Sequence, residues 1–362
     1  MSDLLDLDNA LPTRSRSRRG TIVVLVAALV LVGAMAGAFV ALKGIVHKPG
    51  ITDYPGPGSG SVTVVITPDS SLGQIGSTLA TEGVVATRTA FVTAANENAK
   101  ASTIAPGTYQ LLSHMKASDA VDYLIGTAHR VSTHVVVPEG FEADQVLQAL
   151  AKTGKFTMDD LRVAARNVQG LGLPTWSNGH LEGFLFPATY DFEPGTTAQQ
   201  ALTQMINRFG TAAKAVQLES KATTLKMSPY DILIIASIVE REGKNAGDYG
   251  KIARVIYNRL AKDMPLQMDS TINYTKDVRK VRLSLDDIAD DTPYNTYKHK
   301  GLPPTPIANP GDVSLRAALE PTPGPWLYFV AFPDGTTKFA TRYADFIALK
   351  KQAGLLTPAP KQ

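Results

Sequence analysis

At 362 residues the chain is too long for one small core, and two or three domains are expected. A 44% hydrophobic and 19% charged composition is that of an ordinary folded protein, and a net charge of +3 gives no reason to expect a nucleic-acid partner. There is no cysteine, which excludes disulfides, thiolate metal sites and a cysteine nucleophile; the six histidines show no paired ligand spacing, so no metal site and no cofactor are expected.

In chain order, Arg14, Arg16, Arg18 and Arg19 precede residues 21–42, "TIVVLVAALVLVGAMAGAFVAL", which carry no charge over 22 positions. At about 1.5 Å rise per residue this length crosses a hydrocarbon core of about 30 Å. The basic flank predicts a cytoplasmic tail at 1–20, a transmembrane helix at 21–42 and an extracytoplasmic location for all that follows. A cleaved signal peptide is the competing reading, because Ala34-Met35-Ala36 resembles a cleavage site. A signal h-region runs only about 7 to 15 residues, so a retained anchor in the cell membrane is the expectation.

Residues 43–61 include "KPGITDYPGPGSGS" and read as a flexible linker. After it "VTVVITP" reads as a strand, and Leu72, Ile75 and Leu79 follow at helical spacing with Gly83 as a C-cap. "GTYQL" (107–111) predicts a second strand and "ASDAVDYLIG" a short helix, which together make a small α+β unit at 62–127. A strand-plus-helix pattern recurs with "HVVVPEGF" (134–141) and then Val146, Leu147 and Leu150. "NGHLEGFLFPATYDF" (178–192) is dense in Gly, Pro and aromatics, with Phe184 and Phe186 expected in the core.

Two helices are predicted next. The first begins at Pro229 behind an N-cap Ser228 and carries Asp231 in its first turn. The second spans about 248–262, with Ile252, Val255, Ile256, Arg259 and Leu260 on one face. Residues 263–311 read as a long irregular stretch, "WLYFVAF" and "TTKFA" as a hairpin about Pro333-Asp334-Gly335, and the chain closes on a short helix.

The first of these helices, "DILIIASIVEREG" (231–243), holds the candidate for chemistry. Leu233, Ala236 and Ser237 stand seven, four and three residues before Glu240, which therefore emerges at the edge of the apolar stripe, near the helix C-terminus. Partial desolvation and the negative helix end both oppose ionisation, so the position suits a carboxylic acid that keeps its proton for use as a general acid. A solvated last turn is the ordinary reading of the same segment, and Arg241 and Glu242 fit it.

Six blocks change the balance. "LEGFLFPATY" (181–190), "ASIVEREG" (236–243), "NRL" (258–260), "LQMDSTINY" (266–274), "YNTY" (294–297) and "GLPPTPIANPG" (301–311) resemble, in order, those of the endolytic murein transglycosylase family, also called YceG-like. The sequence departs at Ala188, where the family often has aspartate, and at Met268 and Ser270, where threonine and proline are frequent.

The resemblance implies an α+β protein: a small LysM-like domain at 62–127, a larger catalytic domain at 128–352 and a tail at 353–362. It also implies a membrane-anchored lyase, a lytic transglycosylase that cuts nascent peptidoglycan strands between N-acetylmuramic acid and N-acetylglucosamine and leaves 1,6-anhydro ends. Glu240 carries over as the catalytic residue, acid first and base second. Gln267, Asp269, Asn295 and Thr296 would hold sugar hydroxyls and N-acetyl groups, while Tyr274, Tyr294 and Tyr297 would offer flat faces. Asp269 reads equally as a turn residue, and packing is the ordinary reading of the tyrosines. Glycan strands are the implied partner and peptidoglycan synthases candidate partners. Two alternatives stay open: a hydrolase pairing Glu240 with Asp269, and a non-catalytic glycan-binding scaffold of the cell-wall synthesis machinery.

Overall fold

The computed structural model describes residues 52–276 and 283–355. The expected cytoplasmic tail at 1–20, the membrane span at 21–42, linker residues 43–51 and the C-terminal residues 356–362 lie outside them. Among the described residues no single helix is long and apolar enough to cross a membrane. The chain divides into two compact units, Met1–Arg130 and Val131–Gln362.

In the first unit β1 (Ser59–Ile66) leads into α1 (Leu72–Thr81) and α2 (Arg88–Glu97), followed by β2 (Gly107–Ser113) and α3 (Ala117–Leu124). The two strands pair antiparallel, Val62 opposite Leu111 and Ile66 opposite Gly107. Alternation along β1 buries Val64 and Ile66 and turns Val65 to solvent. Ser71 and Gln74 form a capping box at the start of α1. Just past its end, Gly83 takes φ +72°, a conformation that suits glycine. The sequence reading lacked α2, whose buried face is two alanines, Ala90 and Ala95, around Phe91. That face is too small to stand out as an apolar stripe.

The second unit opens with β3 (Thr133–Val136), α4 (Ala143–Ala151), α5 (Met158–Arg166), β4 (Thr189–Phe192), α6 (Ala198–Ala215) and α7 (Leu218–Thr224). It continues through α8 (Pro229–Glu242), α9 (Ala246–Ala261), α10 (Asp269–Asn273), α11 (Leu285–Ala289), α12 (Asp312–Leu319), β5 (Tyr328–Ala331), β6 (Thr337–Ala340) and α13 (Tyr343–Gln352). β3 pairs antiparallel with β4, Val136 opposite Thr189, and β5 with β6 across a turn in which Gly335 has φ +87°. The stretch 263–311, expected to be irregular, contains α10 and α11; each is only five residues long and shows little periodicity.

The core of this unit is built around α8. Ile232 to Val239 are all buried, Ser237 included, so the helix is enclosed on every side rather than along one stripe. Each large aliphatic side chain so enclosed contributes about 1.5–3 kcal/mol. Its start matches the expectation: Ser228 Oγ accepts the Asp231 N–H at 3.0 Å, with Pro229 in the first turn. Around it pack α12, α9 and α7. The segment 301–311 is tied down by two buried side chains. Ser237 Oγ accepts the Ile307 N–H at 3.0 Å. Asn309 accepts the Leu185 N–H at 2.8 Å and donates to Phe141 O at 2.8 Å.

Candidate active site

α8 ends where the charged residues begin, and its last turn is capped by the Gly243 N–H donating to Val239 O at 2.9 Å. A Cβ at Gly243 would come within 2.2 Å of the Tyr249 ring. Lacking one, Gly243 lets Tyr249, from the first turn of α9, lie across the helix end with its hydroxyl 3.5 Å from Glu240 Oε1. Burial first, then the charges of Glu240 and Glu139, push the Tyr249 phenol up to about 12, so it stays a donor at neutral pH.

The half-buried Glu240 side chain reaches across to α12. Its Oε2 accepts the Gly311 N–H at 3.0 Å and the Ser314 hydroxyl at 2.6 Å. Gly311 is the N-cap of α12, so the carboxyl group of Glu240, at the negative end of its own helix, meets the positive end of another. The sequence reading took account of α8 alone; the same carboxyl also meets two donors and the N-terminus of α12.

Glu139 arrives from the turn after β3. Gly140 adopts φ +75°, and its carbonyl accepts Arg241 Nη1 at 3.0 Å, which joins this turn to the end of α8. A Cβ at Gly311 would lie 1.9 Å from Glu139 Oε1, so the two carboxylates, Glu139 and Glu240, both close on Gly311. Burial, Glu240 and Asp312, in that order, push the Glu139 carboxyl up.

The six expected binding residues make hydrogen bonds of their own. None of them is a hydrogen-bond partner of Glu240, whose partners among the described residues are Gly311, Ser314 and Tyr249. Asp269 opens α10 and accepts the Tyr297 hydroxyl at 2.5 Å. Exposed Gln267 accepts Arg259 Nη1 at 3.2 Å. Arg259 is itself buried, donating to Leu327 O at 2.7 Å and Leu266 O at 2.8 Å, and so pins this loop to the hairpin. This group adjoins Glu242, which accepts the Ser270 N–H at 3.2 Å and whose carboxyl is pushed up by burial first and Asp269 second.

Asn295 and Thr296 are both buried, at 1% and 2% exposure. Asn295 donates to Ile288 O at 2.8 Å and Asp290 O at 2.6 Å. Thr296 Oγ1 accepts the Met268 N–H at 3.0 Å. Their polar atoms hold the loop together. The Tyr274 hydroxyl donates to Glu182 at 3.2 Å, and its ring packs 5.0 Å from that of Tyr294.

Glu182 is a further buried acid. It accepts the Ala143 N–H at 3.0 Å at the start of α4, and burial raises its carboxyl to about 8 despite that donor and Tyr274. Among the described residues, no group of three or more His, Cys, Asp or Glu is placed to hold a metal ion.

Sequence reasoning missed Glu139, Tyr249, Gly311 and Ser314. Two signals were present: Pro138-Glu139-Gly140 is an acid beside a turn glycine, and "GDVSLRAAL" (311–319) has a helix-start composition ahead of Leu315, Ala318 and Leu319.

The model of the YceG-like family matches residues 64–352. A Bacillus subtilis (strain 168) protein named endolytic murein transglycosylase is 33% identical over 295 residues, covering 77% of this chain and 81% of its own length. A Streptococcus pneumoniae (serotype 2, strain D39) protein of the same name is 32% identical over 318 residues, 78% of this chain; the chain spans 57% of that longer relative. The crystal structure of a YceG-like protein from Listeria monocytogenes aligns at 31% identity with a TM-score of 0.56, over 81% of this chain and all of that one.

Proposed function

This chain belongs to the YceG-like family, and from that premise we propose that it is a membrane-anchored endolytic transglycosylase of peptidoglycan with Glu240 as its catalytic acid and base. The observation that carries the assignment is the setting of Glu240. One carboxylate oxygen, Oε2, is anchored by Gly311 and Ser314. Among the described residues the hydrogen-bond partner of the other, Oε1, is the Tyr249 hydroxyl, at a long 3.5 Å.

Protonated Glu240 donates to the glycosidic oxygen as the bond from muramic C1 breaks. The muramic C6 hydroxyl then attacks C1 and gives its proton to the Glu240 carboxylate. A 1,6-anhydro ring forms and the acid is restored. Because the nucleophile belongs to the same sugar, its effective concentration is high and no water has to be positioned. Anchoring Oε2 leaves one oxygen to serve both proton transfers. Gln267 and Asp269, exposed beside Tyr297, are the polar groups of the expected set available to sugar hydroxyls. The hydrolytic alternative pairs Glu240 with Asp269, and the bond of Asp269 to Tyr297 does not favour it.

The span at 21–42 anchors the enzyme, with the remainder outside the cell membrane where nascent strands are made, and peptidoglycan synthases are the partners expected there. We read the unit at 62–127 as a LysM-like module. Digestion of purified glycan strands by the full-length protein and by Glu240→Gln tests the assignment. Loss of about 10²- to 10⁴-fold in rate is expected, as for removal of a general acid; cleavage by the variant at the parent rate would show that Glu240 is not that acid.

A further inference from the structure

The turn bearing Glu139 is held from two sides, the Gly140 N–H donating to Asn309 O at 3.0 Å and the Gly140 carbonyl accepting Arg241 at 3.0 Å. It brings the Glu139 carboxylate to within 1.9 Å of where a Gly311 Cβ would stand, while the Gly311 N–H is bonded to Glu240 Oε2 at 3.0 Å. Two carboxylates meeting at one glycine cannot both ionise without repulsion.

We propose that Glu139 is a positioning residue that acts through Glu240, the two carboxyls sharing one proton so that Glu240 keeps a usable acid proton despite the donors on its Oε2. This rests on the reading of Glu240 as the catalytic acid. Glu139 sets a second negative charge beside the carboxyl that Gly311 and Ser314 bond. After Glu240 has protonated the leaving oxygen, the pair carries two negative charges. Repulsion then makes Glu240 a stronger base for the C6 hydroxyl proton, and Glu139 ends the cycle as it began. The other charged and titratable groups around the turn are Arg241 from α8, bonded to the Gly140 carbonyl, Asp312 from α12, which raises the Glu139 carboxyl, and the Tyr249 hydroxyl from α9. The raised carboxyl of Glu139 agrees with this sharing.

The test is the pH dependence of kcat/KM for release of anhydro-ended products by full-length parent, Glu139→Gln and Glu139→Asp. Sharing predicts that Glu139→Gln moves the basic limb down by at least about one pH unit, the coupling at which two sites titrate as a pair. Glu139→Asp, which keeps the charge, leaves the limb near that of the parent. A parent that releases anhydro ends while Glu139→Gln lowers the rate equally at every pH overturns this proposal alone. A parent that releases none overturns the functional reading and this one with it. Should Glu139→Gln fail to fold, carboxyl titration of the ¹³C-glutamate-labelled parent by NMR decides: two coupled steps at Glu139 and Glu240 are expected, and two independent single steps overturn the sharing.

Discussion

At Gly311 the backbone is unstrained, with φ −86°, so what bars a side chain there is crowding by Glu139 rather than conformation. Gly311→Ala should therefore displace the Glu139 and Glu240 carboxyls while leaving the fold intact. The expected result is a loss of activity of about 10²-fold, the scale for a misplacement near 1 Å, with a thermal unfolding midpoint close to that of the parent. Glu182 makes a prediction about stability. Its ordinary value of 4.5 rises to about 8 on folding, so the folded state holds a proton that the unfolded chain has released throughout that interval. The stability it contributes is full below pH 4.5 and is lost as pH rises to about 8. The midpoint of the parent, compared with that of Glu182→Gln, should fall across this window; a constant difference between the two would contradict the assignment. At this scale the half-buried place of Glu240 in the last turn of α8 was legible, because a charge closing a buried helix is local information. Its partners were not, for Gly311 and Ser314 lie 71 and 74 residues away and only packing brings them near.

Among the elements, α8 and the segment 301–311 behave as one piece. Ser237→Ala would leave the Ile307 N–H without its buried acceptor, at a cost of about 1–3 kcal/mol. Urea unfolding should show this as a lower midpoint with an unchanged slope. Asn309→Ala should cost at least as much, because Leu185 and Phe141 both lose a partner. The start of α8 could be read because Ser228, Pro229 and Asp231 form a cap within four residues. Helix α12 escaped: it is eight residues long and starts on a glycine that makes no side-chain cap. Strand β4 escaped for another reason, since its partner β3 lies more than fifty residues earlier and "TYDF" by itself is too short to alternate visibly.

For the whole molecule, the described residues form three cores that share no residue: one draws on Val64 to Leu124, a second on Val135 to Leu319, and a small third on Val330, Phe332 and Ala353. β3 and β4 pair with each other inside the second unit. Residues 131–355 should accordingly fold by themselves, giving a single cooperative thermal transition. A fragment lacking one would mean that the first unit completes its core. The mixed α+β character and the β5–β6 hairpin were legible from alternation and turn residues, whereas the clustering of Glu139, Glu240, Tyr249 and Ser314 required the packing of α8, α9 and α12. The account of this enzyme turns on the origin of the oxygen at the cut end. Glycan strands digested by the full-length protein in ¹⁸O-labelled water and read by mass spectrometry give the answer: attack by the C6 hydroxyl yields anhydro-muramic ends free of the label, and new reducing ends carrying ¹⁸O would contradict it.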